Sequence, residues 1–411
     1  MQKLPGQCAD SAGKGGAEMV RRILVALAAA VMLSQGVALY GLAGLPELAG
    51  VLGVSFVLLV LVPRRGAAVS VVGSFFIATL LVWGMISGLG LYDKSCYRPD
   101  QMLVTYDIGL DGQRHVPNAS VTMVQPFGDM GAMSADAAVP RVPREVLFRT
   151  DALGFRNDAD LAREDVILIG DSFIQGSGNT QEDTLAAVLR SDYGIPSYAM
   201  GAPGDLVDYV ARAKAHAANH QAPVLVFLFE GNDFARYDGK VRRLPERYVR
   251  RMHATDIGKF FRLQMARFKD TEEAAHVRVM PMQGQPMAFY GPYVEETRRE
   301  QSKAGPRFEP LVQSLAGLAD AVFFIPAKYR VYAPLMGAAP LPEADWLLLK
   351  NACDAAGIPC HNLTEPMREA AAALWTESGR LLWWPDDTHW NRNGVDVAAR
   401  VVADVLNDMA R

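Results

Sequence analysis

Between residues 23 and 92 only Glu47, Arg64 and Arg65 are charged, three positions in seventy. A globular domain interleaves polar residues with apolar ones so that each element keeps one wet face. This stretch does not, and a bilayer is the solvent that suits it. A membrane-crossing helix needs about 20 mostly apolar residues. Residues 23–42, 45–62 and 67–92 supply three such runs, broken by Pro46-Glu47 and by Pro63-Arg64-Arg65. The expectation is three transmembrane helices in residues 23–92, preceded by a cytoplasmic tail at 1–22.

Orientation follows from basic residues in the short flanks. Arg21-Arg22 and Arg64-Arg65 bracket the runs on one side, and the 43–47 turn has no Lys or Arg. Both pairs are therefore expected in the cytoplasm, and everything after residue 92 outside it. If 23–42 is instead a cleaved leader, the body still lies outside. No Asp, Lys, Arg or His falls within a run. This argues against an ion path or a membrane-embedded catalyst. Gly84-Met85-Ile86-Ser87-Gly88 has the small-residue spacing that packs a partner helix.

Outside this stretch the charge density is that of an ordinary globular domain. With 41 Lys and Arg against 45 Asp and Glu, the net charge is −4, which gives no footing for nucleic-acid binding. Cys353 and Cys360 are close enough in sequence to bridge in an oxidising compartment. No CxxC or Cys/His spacing suggests a zinc site, and no metal or cofactor is expected.

Residues 93–158 carry recurrent turn formers, among them Pro117, Gly128, Asp129 and Pro140, and read as an irregular lead-in. From 159 onward strands alternate with helices. Strands are expected at 166–170, 195–200, 224–229, 321–325 and 359–363, and helices at 184–189, 206–218, 311–318, 343–356 and 395–409. That alternation predicts an α/β domain over 159–411, a parallel sheet with helices on both faces. An insertion at about 234–309 interrupts it. Residues 236–270 hold 11 Lys and Arg against 4 Asp and Glu, either a solvated helical face or a basic surface for anionic lipid or polysaccharide.

In a parallel sheet, ligands bind beyond the carboxyl ends of the strands. There the sequence places Gly170-Asp171-Ser172-Phe173, Gly201-Ala202-Pro203-Gly204 and Glu230-Gly231-Asn232-Asp233, with Asp386-Asp387-Thr388-His389 before the last helix. These residues suit acyl transfer through a serine. Ser172 is the candidate nucleophile, and His389 the base that such a weak nucleophile needs. Asp386, three residues before it, is the expected acid that orients the histidine, with Asp387 the second choice. The N–H groups of Ser172 and Gly204 and the Asn232 amide are the expected oxyanion donors. Trp383, Trp384 and Trp390 flank the acid and base; packing of the loop is the first reading for them, and stacking of Trp384 and Trp390 on a sugar ring is the functional alternative.

Together these residues resemble the signature blocks of the SGNH/GDSL hydrolase superfamily. Gly170-Asp171-Ser172-Phe173 matches the first block, Gly204 the second, Asn232 the third, and Asp386 with His389 the last. Ala199 departs from the asparagine common before the second-block glycine. The resemblance covers 165–411 and implies a three-layer α/β/α, flavodoxin-like domain. Arg149-Thr150-Asp151-Ala152-Leu153-Gly154-Phe155-Arg156, Ile325-Pro326-Ala327-Lys328 and Asp387-Thr388-His389-Trp390-Asn391 are similar to membrane-anchored bacterial members. Some of these are related to alginate-type polysaccharide O-acetyltransferases, which carry Gly-Thr-Ser where this chain has Gly-Asp-Ser. The expectation is a serine esterase or O-acyltransferase on the periplasmic side of a bacterial inner membrane. It would act through a Ser172 acyl-enzyme on acetyl groups of an envelope or secreted polysaccharide, and a transferase would draw on a membrane acyl-donor protein. Lipid or small-ester hydrolysis is the enzymatic alternative. A catalytically silent scaffold subunit of a polysaccharide-export complex is the alternative from another class.

Overall fold

The computed structural model describes residues 96–107, 112–162, 165–217, 222–235, 237 and 276–411. The tail, the three expected spans and positions 238–275 of the expected insertion lie outside the described residues. Among the described residues no helix is long and apolar enough to cross a membrane.

The framework is a five-stranded parallel sheet. Its strands are β5 (Val166–Gly170), β6 (Ser197–Gly201), β7 (Val224–Phe229), β10 (Ala321–Ile325) and β11 (Cys360–Asn362), in the spatial order β11-β10-β7-β5-β6. Val-Ile-Leu-Ile, Val-Leu-Val-Phe-Leu-Phe and Ala-Val-Phe-Phe-Ile are continuous apolar runs with no polar alternation, as strands buried on both faces require. Successive residues point to opposite faces. Leu168, Leu225, Phe227, Phe323 and Ile325 enter one core, whose helices are α4 (Leu185–Tyr193), α10 (Thr364–Ser378) and α11 (Arg392–Met409). Ile167, Ile169, Val226, Leu228 and Phe324 enter the other, under α5 (Leu206–Ala217), α7 (Phe308–Gln313) and α9 (Ala344–Ala356). Cys353 on α9 and Cys360 on β11 form a disulfide.

Numbered by their order in the chain, these five strands run 2-1-3-4-5 across the sheet, so the direction of growth reverses between β5 and β7. Crossovers leave these two strand ends toward opposite sides, opening a crevice at their carboxyl ends. The loops after β5 and β7 carry Ser172 and Asn232.

Two boundaries differ from expectation. The lead-in is not a separate part: residues from Cys96 onward belong to the same compact unit as the sheet. It forms α1 (Pro99–Leu103), the hairpin of β1 (Val104–Asp107) and β2 (Gly112–His115), the antiparallel pair β3 (Ser120–Gln125) and β4 (Arg144–Arg149), and the short helix α2 (Asp129–Met133). Its irregular sequence has few apolar periods because much of its docking is polar. Arg156, 1% exposed, donates to the carbonyls of Leu147, Gln175, Gly176 and Asn179 and to Gln181 Oε1. Burial lowers its pKa to about 10, which leaves it charged at neutral pH. Asn157 pairs both ways with the backbone of Ala199, accepting from its N–H at 2.8 Å and donating to its carbonyl at 3.0 Å.

The expected insertion is also partly core. Residues 277–290 form a hairpin of β8 (Val277–Met282) and β9 (Gln285–Tyr290), followed by α6 (Gly291–Thr297). Met282, Met287 and Phe289 are buried in the first core.

Phe323 has no exposed surface and stacks on Phe227, centroids 4.8 Å apart, across the neighbouring strands β10 and β7. Phe323→Ala removes a full aromatic from a site fixed by backbone on both sides, so collapse of the cavity is limited. The expected loss is about 3–5 kcal/mol, read as a lower urea midpoint with an unchanged denaturant slope. A midpoint at the wild-type value would show that this ring is not part of the core.

Candidate active site

β5 ends at Gly170 and the chain turns into α3 (Ser172–Gln175). Asp171 is its N-cap, accepting from Phe173 N–H at 2.8 Å. Ser172 is thus the first helical residue, half-buried at the strand end. The helix stops after one turn at Gly176, whose φ of +77° suits a residue without Cβ. It lies directly on the end of β6: a Cβ on Gly201 would fall 2.1 Å from Gln175 N. Any side chain at Gly201 would push the serine turn off the sheet.

Ser172 Oγ lies 2.7 Å from His389 Nε2. His389 Nδ1 lies 2.7 Å from Asp387 Oδ1. Asp387 is therefore the histidine's carboxylate, and the expectation of Asp386 is corrected. The reason is local. Asp387 Oδ1 also accepts from His389 N–H at 3.2 Å, an Asx-type turn that folds this carboxylate back onto the residue two positions on. Asp386 points away into the lead-in, where Oδ2 accepts from Gly128 N–H at 2.7 Å and Val142 N–H at 2.9 Å. Arg144 holds the two acids together, with Nη1 3.2 Å from Asp386 Oδ1 and Nη2 2.7 Å from Asp387 Oδ2.

His389 and Asp387 are buried, and Ser172 is half-buried beside them. Burial alone would raise the Asp387 pKa, but the His389 charge and hydrogen bond, Arg144 and Arg98 together hold it well below the usual carboxylate range. Burial would likewise depress His389, but the Asp387 charge and hydrogen bond, with Asp129, raise it above the ordinary histidine value. Asp171 is pushed up by burial, opposed by the Phe173 N–H, His389 and Asn232.

Of the expected oxyanion donors, Ser172 and Asn232 follow the two strands that flank the crevice, β5 and β7. Asn232 is exposed, and its amide donates to Asp171 Oδ2 at 3.3 Å, which ties the end of β7 to the serine turn. An amide has two N–H groups, so one remains for a ligand. Gly204 sits after β6. Buried Arg212 gathers the carbonyls of Gly170, Met200, Ala202 and Pro203. A planar trans peptide directs C=O and N–H oppositely, so turning the Pro203 carbonyl to Arg212 turns the Gly204 N–H away from it.

The tryptophans pack the loop. Trp390 is wholly buried, edge-on to Phe173 at 4.9 Å, and Trp383 is buried beside it. Trp384 is half-buried, with the Arg144 guanidinium 4.4 Å over its ring and its N–H bonded to Asn179 Oδ1 at 3.0 Å. It braces Arg144.

Sequence reasoning does not single out Arg144, Asp129 or Lys328 as site residues. Asp129 reads only as a turn former, and no motif marks Arg144. Lys328 closes the resemblance motif Ile325-Pro326-Ala327-Lys328 without an assigned role. Its ammonium, 5% exposed for the residue, donates to the carbonyls of Ala288, Trp384, Pro385 and Asp387. Burial pushes its pKa down to about 7, against the pull of Asp387 and Asp386. Asp129, Asp387 and His389 have donor atoms within 4.8 Å of one another, close enough for a metal ion. Both carboxylates are already paired with guanidinium groups, Asp129 with Arg98 and Asp387 with Arg144. The set therefore lacks the uncompensated charge that binds a cation.

Lys328→Met keeps the side-chain bulk but takes the ammonium away from four carbonyls, of which Trp384 and Pro385 keep backbone donors in Asp387 N–H and Ala288 N–H. Hydrogen bonds from a charged donor contribute about 1.5–3 kcal/mol each, so a loss of at least about 3 kcal/mol is expected in urea unfolding followed by circular dichroism. Wild-type stability would show that those carbonyls find other partners.

A scan against protein-family models finds none that matches the chain, and a search of curated proteins finds no match either.

Proposed function

We propose that the chain is a serine-dependent acyl-ester hydrolase or O-acyltransferase of the SGNH type, working through an acyl-enzyme on Ser172. The observation that carries this reading is the unbroken chain Ser172 Oγ–His389 Nε2–Asp387 Oδ1, with both links at 2.7 Å. Serine is a poor nucleophile unless a base stands at hydrogen-bond distance and a third group orients that base.

In this reading Ser172 Oγ attacks the ester carbonyl carbon as its proton passes to His389 Nε2. The charge on the imidazolium is balanced by Asp387. The oxyanion is met by the N–H groups of Ser172 and Gly204 and the second N–H of the Asn232 amide. Collapse of the tetrahedral intermediate returns the Nε2 proton to the leaving alcohol and leaves an acyl-serine. Water, or a substrate hydroxyl, then gives its proton to His389 and attacks the acyl carbon; the second tetrahedral intermediate breaks its bond to Ser172 Oγ, which takes the proton back from His389 Nε2. The two outcomes, hydrolysis and transfer, use the same residues.

The resemblance to polysaccharide O-acetyltransferases supports acetyl groups on an envelope or secreted polysaccharide as the substrate class. The apolar stretch 23–92 and the Cys353–Cys360 disulfide support a membrane-anchored protein with its body on the oxidising side of a bacterial inner membrane.

Fluorophosphonate labelling tests the reading. Wild-type protein is expected to be labelled at Ser172 and to cleave a short acyl ester, and Ser172→Ala to lose both. Asp387→Asn is expected to cost far more activity than Asp386→Asn, whose loss should appear mainly as lower stability. Because His389 must be neutral to act as base and its pKa is raised, kcat/KM should climb with pH through a midpoint above about 6.5, the ordinary histidine value. Failure of the wild type to label, or undiminished turnover in Ser172→Ala, would end the serine reading.

A further inference from the structure

A second carboxylate faces the histidine. Asp129, 6% exposed, comes from α2 in the lead-in, far from the Asp387 loop in the chain. Its Oδ2 is 3.4 Å from His389 Nδ1 and 2.5 Å from Thr388 Oγ1. Thr388 Oγ1 in turn is 3.2 Å from Nδ1. A hydroxyl has one proton. A carboxylate has none to give, so the Thr388 proton points to Asp129 and its lone pairs face the ring. Nδ1 is then surrounded by three acceptor oxygens: Asp387 Oδ1, Asp129 Oδ2 and Thr388 Oγ1. Only a protonated Nδ1 satisfies that ring of acceptors, and a neutral imidazole with Nδ1–H has its lone pair on Nε2, toward Ser172.

Asp129 is held in this place from several sides. Arg98 pairs with its Oδ1, and Tyr97 O–H donates to the same oxygen at 3.2 Å. Gly128, before it, leaves no room for a Cβ, which would meet Asp386 O at 2.4 Å and Asp387 Cβ at 2.6 Å. Met130 N–H donates to Asp386 O at 3.0 Å. The lead-in is therefore keyed to the histidine loop through both backbone and side chains.

We propose that Asp129 is a second positioning carboxylate for His389, which fixes the Thr388 hydroxyl and, with Asp387, the Nδ1–H tautomer that leaves Nε2 free to accept the Ser172 proton. This rests on the serine reading for its consequence in catalysis, but the state of the histidine can be read independently. The charged groups acting on His389 are Asp387 on its own loop, Asp129 from α2, Arg98 before α1 and Asp171 after β5, while Arg144 on β4, Tyr97 and Lys328 at the start of α8 (Lys328–Tyr332) interact with Asp387 behind it. Among them Asp129 raises the histidine's affinity for a proton and Arg98 lowers it.

The test uses the full chain and four variants: Asp129→Asn, Arg98→Gln, Asp387→Asn and the Asp129→Asn/Asp387→Asn double. The His389 titration is followed by NMR, its signal assigned by comparison with His389→Gln. Asp129→Asn should move the midpoint to lower pH and Arg98→Gln to higher pH. Damage to the fold alone gives no such opposite pair of shifts. The acid limb of kcat/KM should move in the same directions. In turnover, Asp387→Asn should lose less than the roughly 10⁴-fold typical when the histidine's only carboxylate becomes an amide, and the double variant should reach it. An unchanged titration midpoint in Asp129→Asn, or a double variant no worse than Asp387→Asn alone, would overturn the proposal. If wild-type Ser172 resists fluorophosphonate while both midpoints shift as stated, the serine reading falls and the electrostatic role of Asp129 stands.

Discussion

One guanidinium joins parts of the chain that sequence keeps far apart. Arg144, on an edge strand of the lead-in, reaches Asp386 and Asp387 with its two terminal nitrogens, the Gly178 carbonyl with Nε, and the face of Trp384 with its plane. Lysine could not do this, because a point charge on a flexible stem lacks the fork and the flat face. The fork fixes which acid turns toward the histidine and which toward the lead-in. It also sets a positive charge between two carboxylates that are both fully buried. Removing such a cation leaves charges buried and uncompensated, which costs far more than the pair contributes. The segment before residue 159 is thus as much a part of the site as the sheet that follows it.

How much of this is legible in the sequence depends on what kind of force holds each part. β5, β7 and β10 are readable because strands buried on both faces need unbroken apolar runs, and 166–170, 224–229 and 321–325 are such runs. The helix α10 is not among the expected elements. Positions 370–373 in its middle are all alanine, which favours helix strongly but gives little contrast between faces. The helix expected at 311–318 begins earlier, at Phe308, and ends at Gln313, because the following leucines pack through tight turns rather than helical ones. The hairpin β8–β9 is hidden by the basic composition of the residues before it.

The site divides the same way. Ser172, Gly204, Asn232 and His389 follow strand ends or precede the last helix, where topology alone brings them to one edge. The choice between Asp386 and Asp387 cannot be made from spacing, since neighbouring carboxylates differ only in which way a turn throws them. The turn direction is set by Gly128, Val142 and Arg144, all distant from it in the chain. The same holds for Asp129 and Lys328. Their importance lies in distant carbonyls and in the ring of a histidine, and nothing in their immediate sequence carries that information.

The Asn157 side chain at the border of the sheet has a consequence of another kind. β6 is the last strand on its side, and an outermost strand normally offers bare N–H and C=O groups to any extended peptide that drifts past. At Ala199 those two groups are already engaged by a carboxamide, which imitates one residue of a further strand and then stops. On the opposite border β11 is only three residues long, and its Cys360 is tied to α9. A sheet closed in this way at both margins gives little purchase to a second copy of itself.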